Sequence, residues 1–520
     1  MARDRVLTLT GILVSAFLCL LAGHFLITQY MPNAVIGGVV GLLLVAIIFY
    51  YVLNIRRDIF GFIILVYIVS HFNYGQAYGG LFNTASFFVL VVYLAANRVR
   101  EGFVRRDKVM SAILFIFILS NLLGWVLKNP VPMLHRFEGI AAFFGYIFMF
   151  HLASNVAITR ERASLFLSVT FVMVLYQFLV ALNQRYGLVG WNTPLVGGYM
   201  ELGKLVGNTE AEDLSPSGTI RHFELFGEYG ALMVCLLVPF LSSSITQGEL
   251  KFGVNRIVIM ILVAISFPVI TSDRAAAVLV VFAFILYYLI FPTGIFSSID
   301  RFIRRQAKVL LVFAVLLPLV GAYIGLGRLE EDFGRLSDKE LSAGNIVSGK
   351  SINRGWLITE GLERIEQESW WIGYGYGVQR SNEWAWFGAD PEKRESGVSD
   401  FHSLYLSLPM VYGWVGSFAF LSMIVLTAFR MFRTSMRYRK RKSFLVVFAV
   451  GFTMFWLVFL IDQYKISILR NTNYQMLFWI WLGLSNAVFK TIRYEKQESG
   501  APVSRLRLRK TDRALVHTRK

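Results

Sequence analysis

The sequence predicts an all-α polytopic membrane protein with about fourteen transmembrane helices and one large, partly helical extracytoplasmic loop. Three observations carry that expectation. The 520 residues are 56% hydrophobic and 16% charged, with a mean hydropathy of +0.57, too apolar for a water-soluble protein. Apolar runs of near bilayer-spanning length recur along most of the chain. Lys and Arg cluster in alternate connecting segments, as they do in the cytoplasmic loops of multispanning proteins.

The first span covers about 7-28. Arg3 and Arg5 ahead of it mimic the start of a signal peptide, but no small-x-small cleavage site precedes a soluble domain, so the segment reads as an uncleaved span. The second, 34-53, carries Gly37-Gly-Val-Val-Gly41, a GxxxG spacing that lets helices approach closely. Spans follow at 59-72, 81-96, 109-127, 139-157 and 164-183 and, after a loop near 184-222, at 223-246, 257-272, 275-292 and 309-326. These eleven make up residues 1-326. The large loop fills 327-402, spans twelve to fourteen occupy 403-428, 444-462 and 474-490 within 403-490, and 491-520 form a basic tail.

With alternating spans, Arg3/Arg5, Arg56/Arg57, Arg98 to Lys108, Arg160/Arg162, Lys251/Arg256, Arg301 to Lys308, Arg430 to Lys442 and the tail from Lys490 share one side. That side is expected to be cytoplasmic, with both termini on it. The long loops fall opposite, and acidic residues outnumber basic ones in 327-402, so the net charge of +18 belongs mostly to the cytoplasmic face. Arg505-Leu-Arg-Leu-Arg-Lys510 adjoins the final span and therefore suits anionic lipid head groups better than nucleic acid. Cys19 and Cys235 fall within spans and read as small core residues, without a disulfide or a cysteine metal site. No repeat of 20 to 50 residues and no matching halves are found, which disfavours a transporter built on inverted repeats.

The 327-402 loop carries five of the chain's eleven tryptophans, Trp356, Trp370, Trp371, Trp384 and Trp386. Stacking on sugars and anchoring at the membrane interface explain them equally well. Leu357, Ile358, Leu362 and Ile365 recur at helical spacing, which predicts an amphipathic helix over about 354 to 368. Gly373-Tyr-Gly375-Tyr-Gly377 then ends it and lets backbone approach something closely. It is a poor phosphate loop, since no Lys-Ser/Thr follows it into a helix.

Where this loop meets the next apolar run, Ser399-Asp400 forms an expected N-cap and puts His402 in the first turn of span twelve. The positive end of the helix dipole disfavours imidazolium there, so a neutral ring is available as a general base; a polar interfacial histidine fits the same spacing. Pro409, Gly413 and Gly416 permit a kink and close packing just below. Arg274 occupies a tight turn, Ser272-Asp273-Arg274, on the same side of the membrane. A charge at that boundary needs a partner, either Asp273 or a diphosphate whose oxygens match the guanidinium fork. Arg221 and Arg354 could complete an anion site, and lipid anchoring accounts for them as well. Glu224 and Glu228 share a helix face next to Arg221, as partners of these arginines or as reserve bases. No His-Glu-x-x-His, outer-loop Asp-x-Asp or Walker loop occurs, and His24, His71, His135, His151 and His517 lack metal-ligand spacing.

These residues together resemble the O-antigen ligase and Wzy-type polysaccharide polymerase superfamily of bacterial inner-membrane proteins. Those proteins combine a dozen or more spans and a large late periplasmic loop with the motif His-[Asn/Ser/Asp]-x9-Gly-x-x-[Gly/Thr/Tyr], which His402, Ser403, Gly413 and Gly416 satisfy. Ser272-Asp273-Arg274-Ala275 is similar to the family's Ser-Arg-Gly-Ala-like turn, with an inserted Asp and no Gly. Arg354-Gly-Trp356 followed by Gly373 to Gly377 is similar to its Arg-x-x-Trp and Gly-x-Gly-x-Gly pair, one residue shorter in the first part. The resemblance covers about 220-430.

It implies a cofactor-free, metal-independent, inverting glycosyltransferase of the inner membrane that works at the periplasmic face. The donor would be an oligosaccharide on undecaprenyl diphosphate and the acceptor a sugar hydroxyl, with membrane lipids and other polysaccharide assembly proteins as further partners. His402 would take the hydroxyl proton, Arg221, Arg274 and Arg354 would bind the diphosphate, and the tryptophan-rich loop would cover the glycans. Length favours an O-antigen or exopolysaccharide polymerase over a ligase to lipid A core. A flippase or other transporter is the alternative of another class, and it would need charged residues deep in many spans, which the mid-span interiors lack. A noncatalytic scaffold leaves His402 and Arg274 on one side by chance.

Overall fold

The computed structural model describes residues 59–71, 107–128, 133–186, 216–220, 223–242, 254–271, 274–290, 371–377, 403–438, 443–464 and 466–500. Among them the protein is all-helical, without strands. We number the helices α1 (Ile59–Val69), α2 (Lys108–Leu127), α3 (Met133–Asn155), α4 (Arg160–Tyr186), α5 (Phe223–Ser242), α6 (Val254–Ile270), α7 (Arg274–Ile290), α8 (Leu404–Tyr438), α9 (Phe444–Asp462) and α10 (Thr472–Gly500), with a 3-10 turn at Ile468–Arg470. Each coincides with one expected span, and α10 runs on past 490 to Gly500. The expected spans at 7-28, 34-53, 81-96 and 309-326 lie outside the described residues, as do most of both long loops and the amphipathic helix expected over 354 to 368.

Four of these helices are long and apolar enough to cross a membrane: Lys108–Leu127, Arg160–Arg185, Leu404–Tyr438 and Phe444–Asp462. At 1.5 Å per residue the shortest spans about 28 Å, close to the thickness of a hydrocarbon core. Helix α2 shows how this interior differs from that of a water-soluble bundle. Its exposed face is Phe115, Ile116, Leu119, Leu122, Leu123 and Val126. Its buried stripe recurs at helical spacing and includes Ser120, Asn121 and Gly124. Apolar residues face outward and small or polar ones mediate helix contact, as packing in lipid requires. Helix α1, apolar on every face, is accordingly buried on nearly every side. Cys235 is buried in α5, a core residue as expected.

Contacts between helix ends sort them into two layers. Residues 69–71, 216–220, 371–377, 403–404 and 463–475 meet the ends of α2 and α4 and the starts of α3, α5 and α10 at one end of the bundle. At the other end the start of α2 meets the later half of α8, and α10 meets the end of α3. There Asp107 caps α2, accepting from Val109 N at 3.1 Å and Met110 N at 3.3 Å, and its second oxygen pairs with Arg430. Burial alone would raise the Asp107 pKa, but the hydrogen bond and charge of Arg430 and the Met110 N–H hold it below the usual carboxylate range. Lys108, Arg160, Arg162, Arg430, Arg433, Arg437, Lys490 and Arg493 all belong to this second end, in line with the charge segregation of the sequence.

Candidate functional site

The first end is built around a break in α8. Gly413 has φ 71° and ψ 171°, a combination open to glycine alone, so the helix is interrupted four residues after Pro409. A break there frees the carbonyls of Met410, Val411 and Tyr412, whose helical partners lie beyond it. All three are satisfied from elsewhere. Tyr374 N–H donates to Met410 O at 2.9 Å, Gly375 N–H to Val411 O at 2.8 Å, and the Ser120 hydroxyl to Tyr412 O at 2.7 Å. The segment 371–377 thus docks on α8 through backbone, as an added strand docks on an open edge.

The glycine triplet is explained by that docking. A Cβ on Gly373 would meet Val411 O at 2.5 Å, one on Gly375 would meet the Trp125 ring at 2.5 Å, and one on Gly377 would meet Gly139 Cα at 2.8 Å. Gly124 and Gly139 are required from the other side, since their Cβ atoms would lie 2.6 Å from Gly373 O and Tyr376 O respectively. The close backbone approach expected of this motif is therefore an approach to the protein's own helices α2, α3 and α8. Tyr376 locks the segment: its N–H donates to Asn121 Oδ1 at 2.8 Å and its carbonyl accepts from Trp125 Nε1 at 2.8 Å. Its hydroxyl lies 3.1 Å from the Tyr146 hydroxyl and accepts from Gln475 Nε2 at 3.1 Å.

Beside this lies a buried carboxylate. Glu228 is fully buried one turn into α5, and it accepts from Gln463 Nε2 at 2.7 Å and from the Tyr474 hydroxyl at 2.9 Å. Two donors offset the cost of burying the charge. Gln463 is also a joint. Its side-chain carbonyl accepts from Ile468 N at 3.1 Å, and its backbone carbonyl accepts from Leu404 N at 3.0 Å. Through this one residue the first turn of α8 is tied to α5 and to the turn preceding α10. Asn471 continues the layer, donating to Ile220 O at 2.7 Å and capping α10 through Tyr474 N at 2.9 Å.

On the far side of α5 the layer extends to His71. Its Nε2 lies 3.0 Å from the Tyr229 hydroxyl and its Nδ1 2.7 Å from Tyr67 O. The His71 carbonyl accepts from the Thr219 hydroxyl at 2.7 Å and from Gln177 Nε2 at 3.2 Å. Gln184 holds the Gly218 turn, accepting from Gly218 N and donating to Gly218 O, both at 2.9 Å. The stretch 216–220, which feeds directly into α5, is thereby fixed against α4.

The expected site residues divide accordingly. Glu224 and Glu228 are both buried, the latter as a hub of the layer. Trp371 is 65% exposed, at the point where 371–377 meets α8. The backbone of Arg274 opens α7, four residues beyond the end of α6, whose Phe267 stacks on Phe226 of α5 at 4.4 Å between centroids. His402, Arg221, Arg354, Trp356, Trp370, Trp384 and Trp386 lie outside the described residues, as does the Arg274 side chain. Helix α8 begins at Leu404, with the Ser403 carbonyl accepting its first bond from Ser407 N at 3.1 Å. Ser403 stands at the cap position of α8, whereas the sequence predicts the cap at Ser399-Asp400 with His402 in the first turn; Ser399, Asp400 and His402 lie outside the described residues.

Sequence reasoning missed Gln463, Tyr474, Tyr376, His71 and Gln177. All but Tyr376, which sits inside the glycine motif, are polar residues within or beside an apolar run, a pattern that signals burial with a partner. Among the described residues no group of three or more His, Cys, Asp or Glu could hold a metal ion. The chain matches no family model, and no curated protein sequence matches it.

Proposed function

We propose that the protein is a membrane glycosyltransferase that moves a glycan from undecaprenyl diphosphate to a sugar hydroxyl at the end of the bundle opposite its basic face, the periplasmic face in this reading. The observation that carries the proposal is convergence. The start of α8 that follows His402, the start of α5 that follows Arg221 and the glycine segment belong to one end, joined through Gln463 and the Gly413 break, and α7 starts at Arg274 shortly after α6, whose Phe267 stacks on Phe226 of α5.

In this reaction the acceptor oxygen attacks the anomeric carbon, the bond from that carbon to the diphosphate oxygen breaks, and the configuration inverts. His402 takes the hydroxyl proton, and Arg274 with Arg221 and Arg354 binds the negative charge that builds on the departing diphosphate. Glu228, enclosed by two donors, serves to position α5 against α8 and α10, and Glu224 lies one turn closer to Arg221. Exposed Trp371, with the loop tryptophans, supplies a surface for sugar stacking. Polymerisation of an O-antigen or exopolysaccharide is the preferred outcome; ligation to lipid A core uses the same chemistry with another acceptor.

Purified protein supplied with a lipid-diphosphate oligosaccharide tests the reaction. Wild type is expected to lengthen or transfer the glycan, and His402→Gln, which cannot take the proton, to lose about 10² to 10⁴ in rate while still binding donor. Wild-type turnover by His402→Gln would remove the base from the scheme. In cells, loss of the gene should leave single capped repeats for a polymerase, or long chains retained on the lipid carrier for a ligase.

A further inference from the structure

At the basic end α2, α3 and α10 enclose a crevice of about 290 Å³ that the proposed transfer reaction does not use. Its volume is near the lower bound of ligand pockets, enough for a head group but too small for a whole lipid. One wall is polar. Lys490 donates to Ser154 O at 2.8 Å and to Asn155 Oδ1 at 2.9 Å, and the third N–H of its ammonium has no acceptor among the described residues. The carboxylate of Asp107 also lines the crevice, but it is committed to the cap of α2 and to Arg430. Because Asp107 is neutralised by Arg430, which does not itself line the crevice, the Lys490 ammonium is the charge on this wall that no carboxylate balances.

The other wall is apolar and belongs to α2: Met110, Leu114, Phe115 and Ile118. Phe115 is 65% exposed and continues onto the outward face of Ile116, Leu119 and Leu122. The crevice is thus continuous with the surface that meets acyl chains, and its occupant reaches it from the bilayer. We propose that it binds an anionic phospholipid, with the head-group phosphate on Lys490 and an acyl chain along the outer face of α2. Charge complementarity selects the anion, and the apolar wall selects a lipid over a free phosphate. A lipid seated there would bridge α2 to α3 and α10.

Native mass spectrometry of the full-length protein, delipidated and titrated with phosphatidylglycerol, phosphatidylcholine or inorganic phosphate, tests this. Phosphatidylglycerol should bind in preference to phosphatidylcholine, with phosphate alone giving no adduct at the same concentration. Lys490→Gln should weaken the phosphatidylglycerol adduct about tenfold or more. Because that change also removes a buried contact, Ser111→Trp provides the independent variant: Ser111 is exposed and lines the crevice, so a bulky side chain there blocks it without emptying the core. Equal binding of the two lipids, or full phosphatidylglycerol binding by Ser111→Trp, would overturn the proposal. A phosphate adduct as strong as the lipid's would overturn the lipid as its source. None of these readings depends on glycan transfer.

Discussion

Replacing Gly413 by alanine should undock the 371–377 segment. At φ 71° and ψ 171° a side chain costs on the order of 1–3 kcal/mol in backbone strain alone. The added methyl would also lie 2.5 Å from Gly373 N and 2.7 Å from Ile372 Cα, both backbone atoms that cannot swing aside. The relief available is retreat of the segment, which breaks the bonds from Tyr374 N and Gly375 N to Met410 O and Val411 O. Each buried carbonyl left without a partner costs about 1–3 kcal/mol, so the combined penalty is about 3–9 kcal/mol. Its lower bound corresponds to about a hundredfold rise in the opening equilibrium. Hydrogen–deuterium exchange in detergent should therefore show Gly413→Ala losing protection across 371–377, while peptides from Phe444–Asp462 keep theirs. Unchanged protection at 371–377 in a folded variant would refute the reasoning, because the positive φ and the close approach both require that a methyl not fit.

Three further outcomes follow from the same geometry. Glu228→Gln keeps the shape but turns an amide toward donors; Gln463 cannot flip to accept, because its oxygen holds Ile468 N, so a lower thermal midpoint is expected, corresponding to about 1–3 kcal/mol. An unchanged midpoint would mean that Glu228 does not accept both bonds. The folded-state pKa of Asp107 is depressed, so the stability it contributes is present above about pH 4 and is lost as pH falls through the folded value. Asp107→Asn should accordingly lower the midpoint at pH 7 and converge with wild type in acid, whereas a constant gap across pH would exclude titration of this group. Under the proposed transfer reaction, Arg274→Lys should impair glycan assembly despite its retained charge, because an ammonium lacks the bidentate fork, and Asp273→Asn should be tolerated. The reverse ranking, at equal protein level, would make Arg274 a structural partner of Asp273.

Much of the helical framework was legible in the sequence because burial in a bilayer leaves a compositional trace. Runs such as 109-127 and 444-462 are apolar throughout, so length alone locates α2 and α9, and the clustering of Lys and Arg anticipates which helix ends come together. The kink near Pro409 and Gly413 was likewise readable from residue type. The sequence could not say what the glycines approach. A Gly-x-Gly-x-Gly written in a loop is compatible with a ligand or with another helix, and only the three-dimensional positions of Gly124, Gly139 and Gly413 decide for helix packing. Nor could it select Glu228, Gln463 and Tyr474 as one unit, since the glutamate is 235 and 246 positions from its two donors and no local periodicity links them. Membrane segments report their burial residue by residue, because the solvent acts on each one separately; which buried polar groups become partners is set by satisfying every donor and acceptor at once, and that is decided only when the helices have packed.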